Sequence, residues 1–252
     1  MYASARNIAS IEGLLADGCE LLELDVTDDA SRREAVLTIE ERDGFVAALV
    51  NNAGYSQSGA FESVSADRVQ RQFQTNVFAP MELCRLVLPG MRRERRGRIV
   101  NVGSMGGKLT FPGAAAYHAS KYAIEAFSDA LRFEVAGFGI RVVLIEPGII
   151  RTEFPATAAG ELAETSPDDG PYVGFDAFVA GATVNAYERG LLARLGGEPD
   201  RVARVIEKAL DTAHPRPRYL VTPSARLMVA LRRLLGDRLW DRMLASTYPR
   251  PG

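Results

Sequence analysis

Residues that build metal sites and disulfide frameworks are scarce in this 252-residue sequence. The two cysteines, Cys19 and Cys84, lie far apart and form neither a C-x-x-C pair nor a zinc-binding spacing, so we expect free, buried thiols in a reducing compartment. The two histidines, His118 and His214, belong to no H-E-x-x-H pattern. The sequence therefore gives no reason to expect a metal ion.

Long apolar runs and an excess of one charge are also missing. No apolar run reaches the roughly 18 residues of a membrane span, and the first residues, M-Y-A-S-A-R, lack a signal-peptide profile. The expectation is a soluble, cytoplasmic protein. The 30 basic and 32 acidic residues are interspersed and give a net charge of −2, so nothing in the charge favours nucleic acid as a partner. The length, with 47% hydrophobic residues, is typical of one domain over residues 1–252.

Apolar strand patterns alternate with helical patterns along the chain. Strands are predicted at residues 2–6, 19–26, 45–50, 98–102, 140–146 and 218–222, and helices at residues 8–17, 28–43, 65–93, 114–136, 199–213 and 224–246. This alternation predicts βαβ units and a doubly wound parallel sheet in an α/β fold. Residues 153–197 contain several prolines and glycines, so we expect an irregular lid with short helices there.

A serine, a tyrosine and a lysine follow the predicted strand at residues 98–102. Tyr117 and Lys121 are four residues apart in a helical pattern, so both side chains project from one face. A lysine ammonium beside a phenol favours the phenolate, and lowering a tyrosine pKa from about 10 toward 7 takes roughly 4 kcal/mol. Ser104, at the carboxyl end of the strand, can hold a carbonyl or alcohol oxygen. The spacing therefore predicts a tyrosine that exchanges protons near neutral pH.

Five motifs in order resemble the short-chain dehydrogenase/reductase family. They are L-D-V at 24–26, N-N-A-G at 51–54, F-Q-T-N-V at 73–77, Y-H-A-S-K at 117–121 with the upstream Ser104, and P-G-I-I-R-T at 147–152. The resemblance covers about residues 1–152. It implies a Rossmann-like, three-layer fold and an oxidoreductase that interconverts a carbonyl and an alcohol by hydride transfer. It also implies that Ser104, Tyr117 and Lys121 are catalytic, and that Asn76 completes a proton relay where its helix is distorted.

The same resemblance implies a dinucleotide cofactor. The contacts it assigns are Asp25, Val26, Asn52, Ala53, Gly54, Tyr117, Lys121, Pro147, Gly148, Ile150 and Thr152. For Asp25 the alternative is capping of the next helix. Arg6 follows the first predicted strand, where a guanidinium can bind the 2′-phosphate of NADP and a carboxylate would bind the ribose of NAD. We therefore expect NADP, with NAD possible; the alternative is an exposed arginine with no role.

One part of the family pattern is absent from this sequence. The family begins with a strand, a T-G-x-x-x-G-x-G turn and a helix whose amides hold the cofactor pyrophosphate, whereas residues 2–6 match the second strand of the family. We therefore expect a fold without the first strand and helix, and a gap in the sheet between residues 2–6 and 45–50. The alternative function is a cofactor-deficient relative that acts by binding. A hydrolase is excluded, because a G-x-S-x-G elbow needs glycine at Val102.

The remaining expectations concern partners. The helices at 65–93 and 114–136 carry more apolar side chains than one buried stripe needs, and relatives commonly self-associate, so we expect a homodimer or homotetramer. These side chains are Phe73, Val77, Met81, Phe127, Leu131 and Phe133. The last helix carries an apolar stripe that predicts packing on the body or a partner subunit, or else on a membrane surface: Leu227, Leu231, Leu234, Leu235, Leu239 and Met243. Aromatic residues of the lid favour an apolar carbonyl or alcohol substrate: Phe154, Tyr172, Phe175, Phe178 and Tyr187.

Overall fold

The computed structural model describes residues 1–152, 154–163 and 169–251, with the backbone alone at 154–156, 159 and 163. In this part of the chain the strands are β1 (Tyr2–Ala5), β2 (Glu20–Glu23), β3 (Ala48–Asn51), β4 (Gly97–Val102), β5 (Ile140–Glu146) and β6 (Arg218–Leu220). The α-helices are α1 (Asp29–Asp43), α2 (Ala66–Phe73), α3 (Ala79–Arg93), α4 (Ala115–Val135), α5 (Phe154–Ala163), α6 (Val173–Glu188), α7 (Gly190–Arg194), α8 (Pro199–Asp211) and α9 (Pro223–Thr247).

All strand pairs in the described chain are parallel, and they form two pieces of sheet. One piece has the order β1-β2 and the other has the order β3-β4-β5-β6. The facing edges β1 and β3 line one cleft, and within the described residues no strand pairs with either of them on that side. The doubly wound α/β prediction is confirmed, and the sheet is divided where the predicted strand order places a gap.

The central strands are apolar on both faces because helices cover both faces. Ile99 and Val142 pack with residues of α1, α3 and α4, whereas Val100 and Val143 pack with Ala209 and other residues of α8. All of these side chains are at most 2% exposed. Neighbouring residues of a strand point to opposite faces, so β4 and β5 supply the middle layer of three.

Two predicted elements differ from the observed ones. The single helix predicted at 65–93 is interrupted by a π-helical turn at Gln74–Phe78, which contains Asn76. The predicted helix at 8–17 is a 3-10 helix, Ile8–Leu15, and Asn7 caps it by accepting a hydrogen bond from the amide of Ala9. Where the structure describes the range 153–197, the chain is more helical than predicted. One reason is that Pro155 falls in the first turn of α5, where proline does not interrupt a helix.

Three leucines of the apolar stripe predicted for the last helix do not pack on the body, and their packing on a partner subunit or a membrane surface stays a prediction. Leu234 and Leu239 are 82% and 49% exposed, and Leu227 is also exposed. Gly236 has a non-helical backbone (φ 60°, ψ −176°) that divides α9 into two segments, so the helical phase before it does not extend to Leu239. The face that packs on the body contains Ala225, Met228, Val229 and Trp240, flanked by Leu231, Leu235 and Met243.

The side chains predicted to mediate self-association divide into two groups. Val77 and Leu131 are buried inside the subunit, so the prediction is wrong for these two residues. Phe133 is 87% exposed and remains available, and self-association itself stays a prediction.

Both cysteines are buried and free. Within the described residues, no helix is both long and apolar enough to span a membrane.

A buried group of charges joins β5, β6 and α4 to the segment that follows Ser104. Glu125 and Glu146 are 5% and 2% exposed. Lys108 and Arg218 contact both carboxylates, and Arg218 lies 3.2 Å from Glu125 and 3.4 Å from Glu146. Burial and then the neighbouring Glu125 carboxyl raise the pKa of Glu146 to about 8, although Lys108 and Arg218 act in the opposite direction.

This group of charges predicts a pH-dependent stability. The pKa of Glu146 is raised above its ordinary value of 4.5, so its contribution to stability is present at low pH and is lost as the pH rises from about 4.5 through about 8. In Glu146→Gln, which mimics the protonated carboxyl, melting temperatures between pH 5 and 9 should fall less steeply than in the wild type. Glu134→Gln, an exposed change on α4, is the matched control and should follow the wild type. Equal slopes for both variants would contradict the prediction.

Candidate active site

The predicted catalytic side chains meet at the carboxyl edge of the sheet. Ser104 lies two residues beyond β4, Tyr117 and Lys121 lie on α4, and Asn76 lies in the π-helical turn between α2 and α3. Parallel strands bring their carboxyl ends to the same edge, and α4 crosses that edge beside β4 and β5. Residues that are far apart in the sequence therefore share one region.

Ser104 and Tyr117 form the polar centre of this region. The Ser104 hydroxyl accepts a hydrogen bond from the amide of Gly106 at 3.0 Å. The Tyr117 hydroxyl lies in a buried environment that raises the pKa of this tyrosine, and its hydrogen bond with Ser104 lowers the pKa by a smaller amount. The expected lowering of the Tyr117 pKa by Lys121 is not seen; the hydrogen bond with Ser104 is the contribution that lowers it. Burial opposes the phenolate more than the nearby groups favour it.

Lys121 is directed toward the end of β4. Its ammonium donates to the carbonyl of Val102 at 2.9 Å and lies 5.9 Å from the centre of the Tyr117 ring. The residue is 8% exposed, and this burial lowers its pKa to about 8. The four-residue spacing thus places the two side chains on one helix face as predicted, but at a distance where the ammonium lies against the ring.

Asn76 ties the π-helical turn to the segment after β3. Its amide group donates to the carbonyl of Tyr55 at 3.0 Å and to the hydroxyl of Ser120 at 3.1 Å, and its oxygen accepts from the Tyr55 amide at 3.2 Å. A Cβ atom at Gly54 would lie 3.2 Å from that oxygen, so glycine allows this close approach. The distortion that the resemblance implies at Asn76 is present, since the π turn is centred on it.

Gln72 also binds the backbone of Tyr55, and the sequence did not lead us to predict this contact. It is fully buried, donates to the Tyr55 carbonyl at 2.8 Å and accepts from the Gln57 amide at 2.5 Å. Four residues before Asn76, it adds a second polar side chain to the same length of helix. That pair of amides inside a helix was the available signal.

The first asparagine of N-N-A-G also has a structural role. Asn51 donates to Asn101 on β4 at 2.8 Å, and Asn101 donates to Ser128 on α4 at 2.9 Å. The three side chains are buried, so the hydrogen bonds join two strands and a helix beneath the site. These bonds hold the carboxyl ends of β3 and β4 in a fixed position relative to each other.

The large cleft between β1 and β3 holds half of the predicted cofactor contacts. Its volume is about 1110 Å³, and the predicted residues that line it are Arg6, Asp25, Val26, Asn52, Ala53 and Gly54. The Asp25 carboxylate accepts hydrogen bonds from the amide and hydroxyl of Thr27, and these bonds lower its pKa. Helix α1 is capped by Asp28 instead, so capping does not explain Asp25. Lys121 and Asn76 line a small neighbouring cavity together with Ala53.

The predicted contacts at 147–152 lie beyond β5, outside that cleft. The carbonyl of Pro147 accepts from the amide of Met105 at 2.8 Å, so this segment abuts the one that carries Ser104. A Cβ atom at Gly148 would lie 2.4 Å from the Thr222 hydroxyl, which makes Gly148 a packing glycine against α9. Ile150 forms a β-bridge with Gly197, and Thr152 is exposed.

The comparisons with known proteins agree with this architecture. The family model described as short chain dehydrogenase matches residues 3–161. The chain belongs to the short chain dehydrogenase family. It is 35% identical over 210 residues to a 3-ketodihydrosphingosine reductase of Bacteroides thetaiotaomicron, an alignment that covers 83% of this chain and 75% of the relative. Members of the family are oxidoreductases, so the recognition from motifs is confirmed and the chain is a dehydrogenase/reductase.

Two solved structures share the fold. A short-chain dehydrogenase from Streptomyces avermitilis superposes with a TM-score of 0.75 at 32% identity, over 98% of this chain and 88% of the other. The closed form of a serine dehydrogenase complexed with NADP+ superposes with a TM-score of 0.73 at 24% identity, over 88% of this chain and 84% of the other. The second likeness concerns the fold alone.

The hydrogen bonds of Asn76 predict a measurable contribution to stability. Asn76→Ala leaves the partly buried backbone groups of Tyr55 with fewer partners, which should lower the free energy of unfolding by about 1–3 kcal/mol. Urea unfolding measures this difference. Asn185→Ala, at an exposed position of α6, is the matched control and should change stability much less. If the two variants lose the same stability, the bridging role of Asn76 is wrong.

Proposed function

We propose that this protein is an NADP-preferring oxidoreductase that interconverts an apolar ketone or aldehyde and its alcohol. The observation that carries the proposal is the hydrogen-bonded pair of Ser104 and Tyr117 beside the buried Lys121, next to a cleft bordered by Arg6. A serine hydroxyl and a neutral phenol can bind one substrate oxygen together. The family membership supports the reaction class.

The cleft residues fit the adenosine side of a dinucleotide. The small side chains of Ala53 and Gly54 leave room for a ring system, while Asp25 can accept hydrogen bonds and the exposed Arg6 can bind a phosphate. The Asp25 pKa is lowered in part by Arg6, so the two side chains face a common space. When bound, a nicotinamide cofactor supplies or accepts the hydride.

The other groups in the mechanism belong to this chain. Ser104 orients the substrate oxygen, and Tyr117 transfers a proton to it during reduction or removes one during oxidation. The raised pKa of Tyr117 keeps its proton in place before reduction begins. Lys121 supplies positive charge below the phenol and can bind the ribose of the nicotinamide. Asn76, which lines one small cavity with Lys121, completes a path for protons behind the lysine.

Apolar surroundings support an apolar substrate. Tyr187 on α6 packs with Met105 and Ile149 beside the Ser104 segment, and burial raises its pKa. A relative named as a ketone reductase with a sphingoid substrate is consistent with a carbonyl on an apolar chain. Of the other aromatic residues singled out, Phe178 stacks on Tyr248 and Tyr172 binds Glu62, whereas the Phe154 side chain lies outside the described residues.

The role of Tyr117 predicts a large effect of one hydroxyl group. In Tyr117→Phe, turnover of acetophenone or decanal with NADPH at neutral pH should fall by about 100-fold or more, because the proton donor is removed. NADPH affinity, measured by fluorescence titration, should change little. Tyr122→Phe is the matched control, since Tyr122 is an exposed tyrosine of the same helix. Near wild-type turnover by the folded Tyr117→Phe protein would overturn the assignment.

The position of Arg6 predicts the cofactor preference. Arg6→Asp replaces a phosphate-binding cation with an acceptor for ribose hydroxyl groups, so the ratio of kcat/KM for NADPH to that for NADH should fall by at least about tenfold. Arg204→Asp, an exposed change on α8, leaves this ratio unchanged if the effect is local. An unaltered ratio in Arg6→Asp would count against NADP recognition by this residue.

A further inference from the structure

His118, the residue after Tyr117, makes contacts that its place in the motif does not explain. The side chain is buried, at 5% exposure. Its Nδ1 atom lies 2.9 Å from the carbonyl oxygen of Gly106, and its Nε2 atom lies 3.0 Å from the backbone nitrogen of Phe111. Both ring nitrogens therefore bind the backbone of the segment that begins at Ser104.

These partners determine the protonation state of the ring. A carbonyl oxygen can only accept, so Nδ1 must carry the hydrogen that is donated to Gly106. A backbone N–H can only donate, so Nε2 must be the unprotonated acceptor for Phe111. The two bonds together require a neutral imidazole in the Nδ1–H form.

Close packing makes the segment sensitive to this ring. A Cβ atom at Gly106 would lie 3.0 Å from the His118 ring and 3.2 Å from the Tyr117 ring, so the segment, His118 and Tyr117 are in tight contact. The Phe111 ring lies 6.1 Å from the His118 ring and 6.1 Å from that of Trp240 on α9. The Ser104 hydroxyl is bound to the amide of Gly106, so a shift of Gly106 moves the serine.

We propose that neutral His118 is a positioning residue, which holds the segment from Ser104 to Phe111 against Tyr117 and releases it on protonation. Adding a proton to Nε2 would place one N–H group against the N–H of Phe111 and break that bond. The imidazole acts through Ser104 and touches no reacting atom. The consequence for catalysis rests on the proposed function, whereas the state of the ring does not.

The direction of the pH effect follows from the surroundings. Burial lowers the pKa of His118 below 6.5, and its hydrogen bond with Gly106 acts weakly in the opposite direction. The stability that the neutral ring contributes is present above about pH 6.5 and is lost as the pH falls through the lowered pKa. The catalytic rate should therefore fall as the pH decreases through the lowered pKa of His118.

Other titratable groups lie on every element around the ring. Tyr117 and Lys121 share α4 with His118, and Lys108 lies in the segment from Ser104 to Phe111. Tyr187 lies on α6, and Arg232 of α9 lies over Trp240. Within the described residues, no carboxylate forms an ion pair with the imidazole. Nothing on these elements therefore holds the ring in its charged form.

Nitrogen NMR of the histidine-labelled full-length protein tests the state of the ring directly. The chain has only two histidines, and the exposed His214 serves as the internal reference. His214→Gln assigns the signals. We expect His118 to be neutral and protonated at Nδ1 at pH 7, and to titrate below the ordinary histidine value of 6.5. A ring protonated at Nε2, or one that is cationic at pH 7, would overturn the proposal even if every His118 variant failed to fold.

Steady-state kinetics test the positioning role, with acetophenone and NADPH as the probes. His118→Phe should lower kcat by roughly 10- to 100-fold, as expected when reacting groups are displaced by up to about 1 Å, with little change in KM for NADPH. His118→Gln, whose amide both donates and accepts, should recover part of this loss. The acid decline of kcat should disappear in both variants and persist in His214→Gln. An acid decline that persists in the folded His118→Gln protein would contradict the proposal.

The two proposals can fail separately. An active Tyr117→Phe enzyme together with a neutral, Nδ1-protonated His118 would overturn the proton-donor role of Tyr117 and leave the positioning role of His118 intact. An inactive Tyr117→Phe enzyme together with an unchanged acid decline in the His118 variants would do the reverse.

Discussion

Pairing of β4 with parallel strands on both sides is the constraint on which the site depends. Six residue pairs join β4 to β5, and the polar bonds from Asn51 through Asn101 to Ser128 lock β3, β4 and α4 at one level. Because β4 is also buried on both faces, its end is a fixed point in the molecule. Ser104 follows two residues later, and α4 returns over that end with Tyr117 and Lys121. The candidate site is thus held at the end of a buried strand that is paired on both sides.

The backbone groups of the segments beyond the strand ends have no partner strand to bind. Side chains on neighbouring helices bind these backbone groups at two places. Asn76 and Gln72 satisfy the backbone of Tyr55 from one side, and His118 satisfies Gly106 and Phe111 from the other. Buried backbone groups are costly when unpaired, so each such side chain acts on the shape of a loop as well as on its stability. This explains polar residues inside helices, where propensity alone disfavours asparagine.

Local sequence patterns were sufficient to predict the elements whose apolar residues repeat with one regular spacing. The alternation of strands and helices and the shared face of Tyr117 and Lys121 follow from neighbouring residues. The partners of Gln72 and His118 could not be predicted, because they depend on loops that meet only in the folded chain. Only part of the α9 stripe packs on the body, because the packed face contains Met228 and Val229 before Gly236 and Trp240 after it, and a window of apolar residues does not show which leucines face solvent. The family motifs gave the candidate residues, whereas the backbone bonds that Gln72 and His118 make in the same region were not anticipated.

The electrostatics of the site depend on burial more than on the spacing of charges. Burial raises the pKa of Tyr117 and lowers the pKa of Lys121 to about 8, so the environment favours the neutral form of each group. The lysine ammonium donates to the carbonyl of Val102, and the hydrogen bond with Ser104 is the contact that favours the phenolate. In the proposed mechanism, Tyr117 therefore keeps its proton until the substrate oxygen takes it, and the charge of Lys121 stabilises the phenolate that remains.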